Sequence, residues 1–151
     1  MNTLLKTPSV LVKTKEAYSI WFKIFADFPK IYRYNLGGKI EENFLILLDN
    51  MFASIYLPKN QKINRLTIII IKLDSLKFFL QLAWENKCLP NKKYAELSER
   101  LNEIGKMLGG WKRGLENKVA TPPITTKIDS VAVRPSDERS RHSKHWHSRN
   151  D

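Results

Sequence analysis

Two neighbouring stretches of regular apolar spacing organise the chain. In the later one, Tyr94, Leu97, Leu101, Ile104, Leu108, Trp111 and Leu115 recur at alternating intervals of three and four. That interval places all seven on one stripe of an α-helix. In the earlier one, Leu66, Ile69, Leu73, Leu76 and Leu80 make one stripe, while Ile68, Ile71, Phe78 and Leu82 make a second on another side. A helix of a monomeric bundle buries one stripe. A second predicts either a deeply central helix or a protein–protein contact. The two helices meet at Lys87–Asn91, where Pro90 blocks continuation.

The remaining pattern adds two helices. All seven prolines fall between apolar periods, and an internal proline costs a helix about 3 kcal/mol, so their spacing outlines four helices. The first runs over about Val10–Asp27, with Ala17, Trp21, Ile24, Phe25 and Phe28 on its apolar side, and is ended by Pro29. Lys30–Asn35 reads as a loop rich in tyrosine and basic residues. Asn35 is placed to cap a second helix that reaches about Tyr56. Ile40, Phe44, Leu47, Leu48, Met51 and Ile55 line its core face, with Leu45 and Phe52 outside that stripe. The third helix spans about Lys62–Glu85. Its β-branched run Thr67–Ile71 suits a strand locally, but the three–four spacing continues too far for one. The fourth spans about Lys92–Glu116. The prediction is an all-α, up-down-up-down four-helix bundle over residues 1–119. Residues 120–151 are rich in serine, proline and charge and read as a flexible or disordered tail.

Charge narrows the partners. The chain holds 26 Lys and Arg against 15 Asp and Glu, a formal +11. Residues 1–119 carry 20 of those bases and 11 of those acids, so +9 belongs to the bundle and not to a basic tail. Such a field favours nucleic acid, an acidic protein face or anionic lipid over a solvated surface kept for solubility. A single cysteine, Cys88, permits no intrachain disulfide, which fits a reducing cytoplasm. The N-terminus lacks the h-region and cleavage site of a secretory signal, and no apolar run is long enough to span a membrane.

Catalytic chemistry finds little to build on. Gly37 and Gly38 precede a helix, but without a Walker pattern or a preceding strand they read as a tight helix start. Gly105 and Gly109, with Gly110 beside them, either admit a close neighbour or fray the last turn of helix four. His142, His145 and His147 have metal-like spacing but no acidic or cysteine partner, so no functional metal site is expected. Asp49, Asp74, Glu85, Glu99 and Glu103 are scattered, and no nucleophile is paired with a base. The chain is expected to be no enzyme and to take no cofactor.

The basic residues are the better candidates. Arg65, Lys72 and Lys77 on helix three, with Lys92, Lys93, Arg100, Lys106, Lys112 and Arg113 on helix four and its ends, can form a charged face that tracks phosphates. No base-reading motif accompanies them, so contacts to RNA or DNA are expected to be mainly with the backbone. Leu45, Phe52, Ile68, Ile71, Phe78 and Leu82 are the candidates for contact between subunits.

The segments FPKIYRYNLGGKIEEN and KLDSLKFFLQLAWENKCLPNKKYAELSERLNEIGKMLGGW resemble the accessory variability determinant (Avd) family of diversity-generating retroelements. The resemblance covers about Phe28–Lys112, and IGKMLGGW at Ile104–Trp111 is its most specific element. It implies a small, basic, non-catalytic four-helix bundle assembled as a homopentamer. It further implies binding of the retroelement's reverse transcriptase and template RNA or cDNA in support of mutagenic retrohoming. Lys77 and Lys106 match positions where the family is expected to carry a basic residue, whereas Gln81 stands where a second arginine is expected. Two other readings stay open. One is the related four-helix-bundle protein encoded in intervening sequences of 23S ribosomal RNA; the other is a purely structural homo-oligomer.

Overall fold

The computed structural model describes residues 7–119, and everything structural below concerns them; the predicted tail and its three histidines lie outside them. Four long helices are present: α1 (Ser9–Ala26), α2 (Gly38–Ser54), α3 (Lys59–Glu85) and α4 (Asn91–Val119). Successive helices pack against each other and α4 returns to α1, which closes the four into a bundle around one core. The predicted architecture is therefore the observed one.

The prolines act at helix starts. Pro58 holds an extended ψ of 156° immediately before α3, and its carbonyl accepts the first helical bond, from the Lys62 amide at 2.8 Å. Pro8 does the same for Leu11 at 3.0 Å and Pro90 for Tyr94 at 3.0 Å. A proline there loses nothing, because the first amides of a helix have no intrahelical partner anyway. Helix three accordingly starts three residues before the position read from the sequence. Helix four runs unfrayed through Gly109 and Gly110 to Val119.

The largest departure lies between α1 and α2. Lys30–Tyr32 forms a single α-helical turn behind Pro29, and Arg33–Gly37 forms a π-helical turn that runs directly into α2. There is no loop, and Asn35 does not cap a helix. Its side-chain oxygen accepts only from the adjacent Leu36 amide, while Tyr32, Gly37 and Gly38 around it are all right-handed helical. A π-turn packs less well than an α-turn and survives where tertiary contacts hold it. Here they are specific. Gly37 is buried, and a Cβ on it would lie 2.8 Å from Phe25 Cε2 and 3.2 Å from Phe28 Cδ2. Glycine is thus required by the close approach of this backbone to α1, not by a tight helix start.

The corner between α3 and α4 is closed by backbone geometry. Lys87 adopts a left-handed φ of 61°. Its amide donates to the Trp84 carbonyl at 2.9 Å, and the Cys88 amide donates to the Ala83 carbonyl at 2.9 Å. These are the two bonds of a Schellman ending, with Ala83 and Cys88 as its apolar contact. Across the corner, Trp84 stacks on Tyr94 with centroids 4.6 Å apart and donates its indole N–H to Asn91 Oδ1 at 2.7 Å.

One polar clamp joins α1 to α2. Glu41, in the first turn of α2, accepts the Tyr18 hydroxyl on one carboxylate oxygen and the Trp21 indole N–H on the other, the latter at 2.6 Å. Trp21 is fully buried and could not leave its N–H unpaired without cost. Its ring sits in an aromatic cluster with Phe25, Phe28 and Phe44. The bond to Glu41, then partial burial, then the negative charge of Glu41 push the Tyr18 phenol up to about 12 from 10.0. The folded state therefore favours the protonated phenol. Its contribution to stability is complete below pH 10 and is lost as pH rises from 10 towards 12. Tyr18→Phe should be less stable than the parent in denaturant melts below pH 10, with the difference shrinking towards pH 12. A gap that stays constant across that window would show that the phenol–carboxylate bond does not hold the helices together.

Candidate functional site

The nine predicted basic residues do not form one sheet of charge. Lys72 and Lys77 are five residues apart on α3, hence about 140° apart around it. Lys72 shares a flank with Arg65, two turns away, and that flank faces α2: Arg65 donates to Asn50 Oδ1 at 2.9 Å. Arg100 lies on the flank of α4 that faces α1, where it pairs with Glu16 at 3.4 Å; one turn on, Glu103 pairs with Lys13 at 3.7 Å. Both pairs are exposed and worth at most about 1 kcal/mol each, but they cancel charge where they sit. Lys92 and Lys93 are exposed at the start of α4, at the far end of the bundle from Lys112 and Arg113.

Four basic residues remain on a broad strip about 100° wide, in which Lys112 lines up with Gly105 at the α3 seam and Arg113 lines up with Lys106 on the outer surface of α4. Lys77 reaches over the α3–α4 seam, its ammonium 3.4 Å from where a Cβ on Gly105 would stand. Lys106 follows at once and is exposed. Two turns further, Arg113 lies back along α4 with Nη1 3.9 Å from the Cβ position of Gly109, beside half-buried Lys112. At each glycine a basic side-chain end lies at ordinary contact distance, Lys77 of α3 at Gly105 and Arg113 of the same helix at Gly109. No ion-pair partner within 4.0 Å is found for these four among the described residues. Asn102, Glu99 and Glu103 border Lys106 on the outer surface of α4, so the strip has an acidic edge.

The second apolar stripe of α3 faces outwards. Phe78 is 60% exposed and Ile71 59%, with Ile68 also exposed and Leu82 half-buried. The core stripe Leu66, Ile69, Leu73, Leu76 and Leu80 points the opposite way and is buried. α3 is therefore a peripheral helix with two apolar faces, not a deeply central one. Leu45 and Phe52 are also exposed. Helical spacing puts them on the flank of α2 that carries Glu41 and so faces α1. Phe22 on α1 is exposed as well, its ring 6.3 Å from that of Tyr18. The surface thus carries two unlike apolar patches: one on the back of α3, the other along the α1–α2 seam.

The chain matches the model of the bAvd-like family over residues 10–115. It belongs to the bAvd-like family. No curated protein matches it. The matched span runs from the start of α1 almost to the end of α4 and so includes the basic strip, both apolar patches and the Glu41 clamp. Membership assigns a non-catalytic accessory role in a diversity-generating retroelement. Among the described residues of this bAvd-like chain, no group of His, Cys, Asp and Glu is arranged to hold a metal. No described helix is long and apolar enough to cross a membrane.

Some important residues were invisible to periodicity. Glu41 looks like an ordinary first-turn acid, and only its position opposite Trp21 and Tyr18 reveals its work. Tyr34 and Ile31 fall in the segment read as a loop, yet they project from a helical turn.

Proposed function

We propose that this bAvd-like protein is a basic homo-oligomeric adaptor that binds the retroelement's reverse transcriptase and its template RNA or cDNA during mutagenic retrohoming. The observation that carries this reading is the strip of Lys77, Lys106, Lys112 and Arg113, for which no ion-pair partner is found among the described residues. Lys72, Arg65, Arg100, Lys92 and Lys93 contribute to the general field rather than to that strip. The reading extends to a cytoplasmic setting, where the retroelement's RNA and polymerase are made.

The oligomer is supported by the two apolar patches. Because they are unlike and lie on different flanks, pairing one with the other is a head-to-tail contact. Such contacts close into rings when the rotation per subunit allows. Five subunits are expected from the family resemblance. In a ring every subunit repeats the basic strip, so one substitution removes several charges and weakens multivalent binding more than a single contact would.

Two experiments test this. Phe78→Asp places an unpaired charge in the proposed contact and should shift the mass seen by light scattering towards the monomer without loss of helicity. A parent protein that is already monomeric at micromolar concentration would exclude the oligomer. For nucleic acid, the affinity of the parent should fall with salt by about 0.7 to 0.9 log units per log unit for each phosphate contacted. Combining Lys77→Ala with Lys106→Ala should lower that slope by about 1.4 to 1.8 for each subunit that engages the strand, if each lysine meets one phosphate. An unchanged slope and affinity would leave these lysines as solvated surface.

A further inference from the structure

The turn of the bundle between α1 and α2 presents aromatic and apolar surface that neither the core nor the proposed subunit contact uses. Tyr34 is 92% exposed and Ile31 78%, the most exposed of the large apolar and aromatic residues described. They sit three residues apart in the helical lead-in Lys30–Gly37, so they project within one turn of each other. This is a braced segment. Arg33 Nη2 donates to the Phe25 carbonyl at 3.3 Å, and its guanidinium lies 5.3 Å from the centroid of the Phe25 ring. Gly37 packs against Phe25 and Phe28 with no room for a Cβ. Arg33 is thereby committed to α1 and is a strut rather than a free ligand. The π-turn, which costs more than an α-turn and often marks a functional position, holds Tyr34 out in solvent on a fixed base.

The same end of the bundle is basic. The chain order brings the end of α1, the lead-in to α2, the end of α3 and the start of α4 together there, and a groove between the two corners is lined by Asp27, Pro29, Trp84, Lys87, Pro90 and Asn91. A smaller hollow beside it adds Lys23 and Lys93. Lys30 precedes Ile31 directly. Asp27 borders both hollows and Glu85 closes α3, so lysines outnumber acids at this end without excluding them.

We propose that this end of the bundle is a binding site for single-stranded RNA, in which an unpaired base stacks on Tyr34 beside Ile31 while Lys23, Lys30, Lys87 and Lys93 attract the adjoining phosphates. An exposed aromatic ring on a braced turn, at the end of the bundle that carries these lysines, suits an unpaired base, because every base has a face to stack and a duplex hides those faces. An acidic protein segment would be drawn by the lysines but gains little from an isolated ring held in solvent. The proposal rests on the nucleic-acid reading above and adds to it a strand preference and a second contact region, at the corners of the bundle rather than along the α3–α4 strip.

The test compares the full chain with Tyr34→Ala and Tyr34→Trp by fluorescence anisotropy. The probes are a labelled unstructured oligouridine of about 12 nucleotides and a labelled RNA duplex with the same number of phosphates. Tyr34 is almost wholly exposed, so its replacement should leave the helical signal unchanged. The expected result is a loss of about 5- to 150-fold in single-strand affinity for Tyr34→Ala. Affinity should be retained in Tyr34→Trp, and duplex binding should be the same in all three proteins. The salt slope should not change, because a stacking ring releases no counterions. Equal single-strand binding by Tyr34→Ala and parent overturns the stacking site alone. So does an equal loss on both probes. Tyr34→Ala that keeps its RNA affinity but no longer associates with the reverse transcriptase assigns this end to the protein partner and also overturns it. A parent protein that binds neither probe overturns the nucleic-acid reading itself.

Discussion

The fold depends first on the Glu41 carboxylate. It takes the indole N–H of Trp21 and the hydroxyl of Tyr18 from α1 while belonging to the first turn of α2. Trp21 is fully buried among Phe25, Phe28 and Phe44, and a buried tryptophan truncated to alanine typically costs about 3 to 5 kcal/mol. With its N–H satisfied, the indole can serve as the centre of the α1–α2 contact. The clamp fixes how α1 lies on α2. That in turn sets Phe25 and Phe28 against Gly37 and leaves the lead-in to α2 no freedom to relax into a plain α-turn.

The consequences are visible on the surface. Because Glu41 turns its flank of α2 towards α1, Leu45 and Phe52 on the same flank emerge at the α1–α2 seam. Because α3 buries Leu66, Ile69, Leu73, Leu76 and Leu80 in the core, Ile68, Ile71 and Phe78 emerge on its back. Charge is sorted by the same helical geometry. Arg100, which faces α1, acquires Glu16 as a partner, and Arg65, which faces α2, acquires Asn50. At the α3–α4 seam, Lys77 lies beside Gly105 instead.

The four helices were legible because their stripes are long and proline marks every boundary. The outward stripe of α3 was legible for the same reason: a second period on one helix needs a second environment. Three features were not. The π-turn breaks the 3.6-residue period over five residues, so Arg33–Gly37 resembled a loop. The Glu41 clamp depends on a contact across 20 residues of chain, which no local pattern encodes. The division of the basic residues among flanks was accessible in principle from helical angle, since Lys72 and Lys77 are too close in sequence to share a face. Which flank meets which helix required the packing. The family likeness pointed to Lys77 and Lys106 by position; the packing puts Lys77 beside Gly105 and leaves Lys106 exposed on the outer surface of α4.

The central claim is that the α3–α4 strip, rather than the basic surface at large, engages the retroelement's polymerase and RNA. Lysine reactivity footprinting of the assembled complex addresses it directly: the full chain is acetylated alone and with reverse transcriptase and template RNA, and each site is quantified by mass spectrometry. Lys77, Lys106 and Lys112 should lose reactivity on assembly, while Lys72, on the flank towards α2, and Lys13, paired with Glu103, keep theirs. Protection of Lys72 and Lys13 with Lys77 and Lys106 left fully reactive would contradict the account.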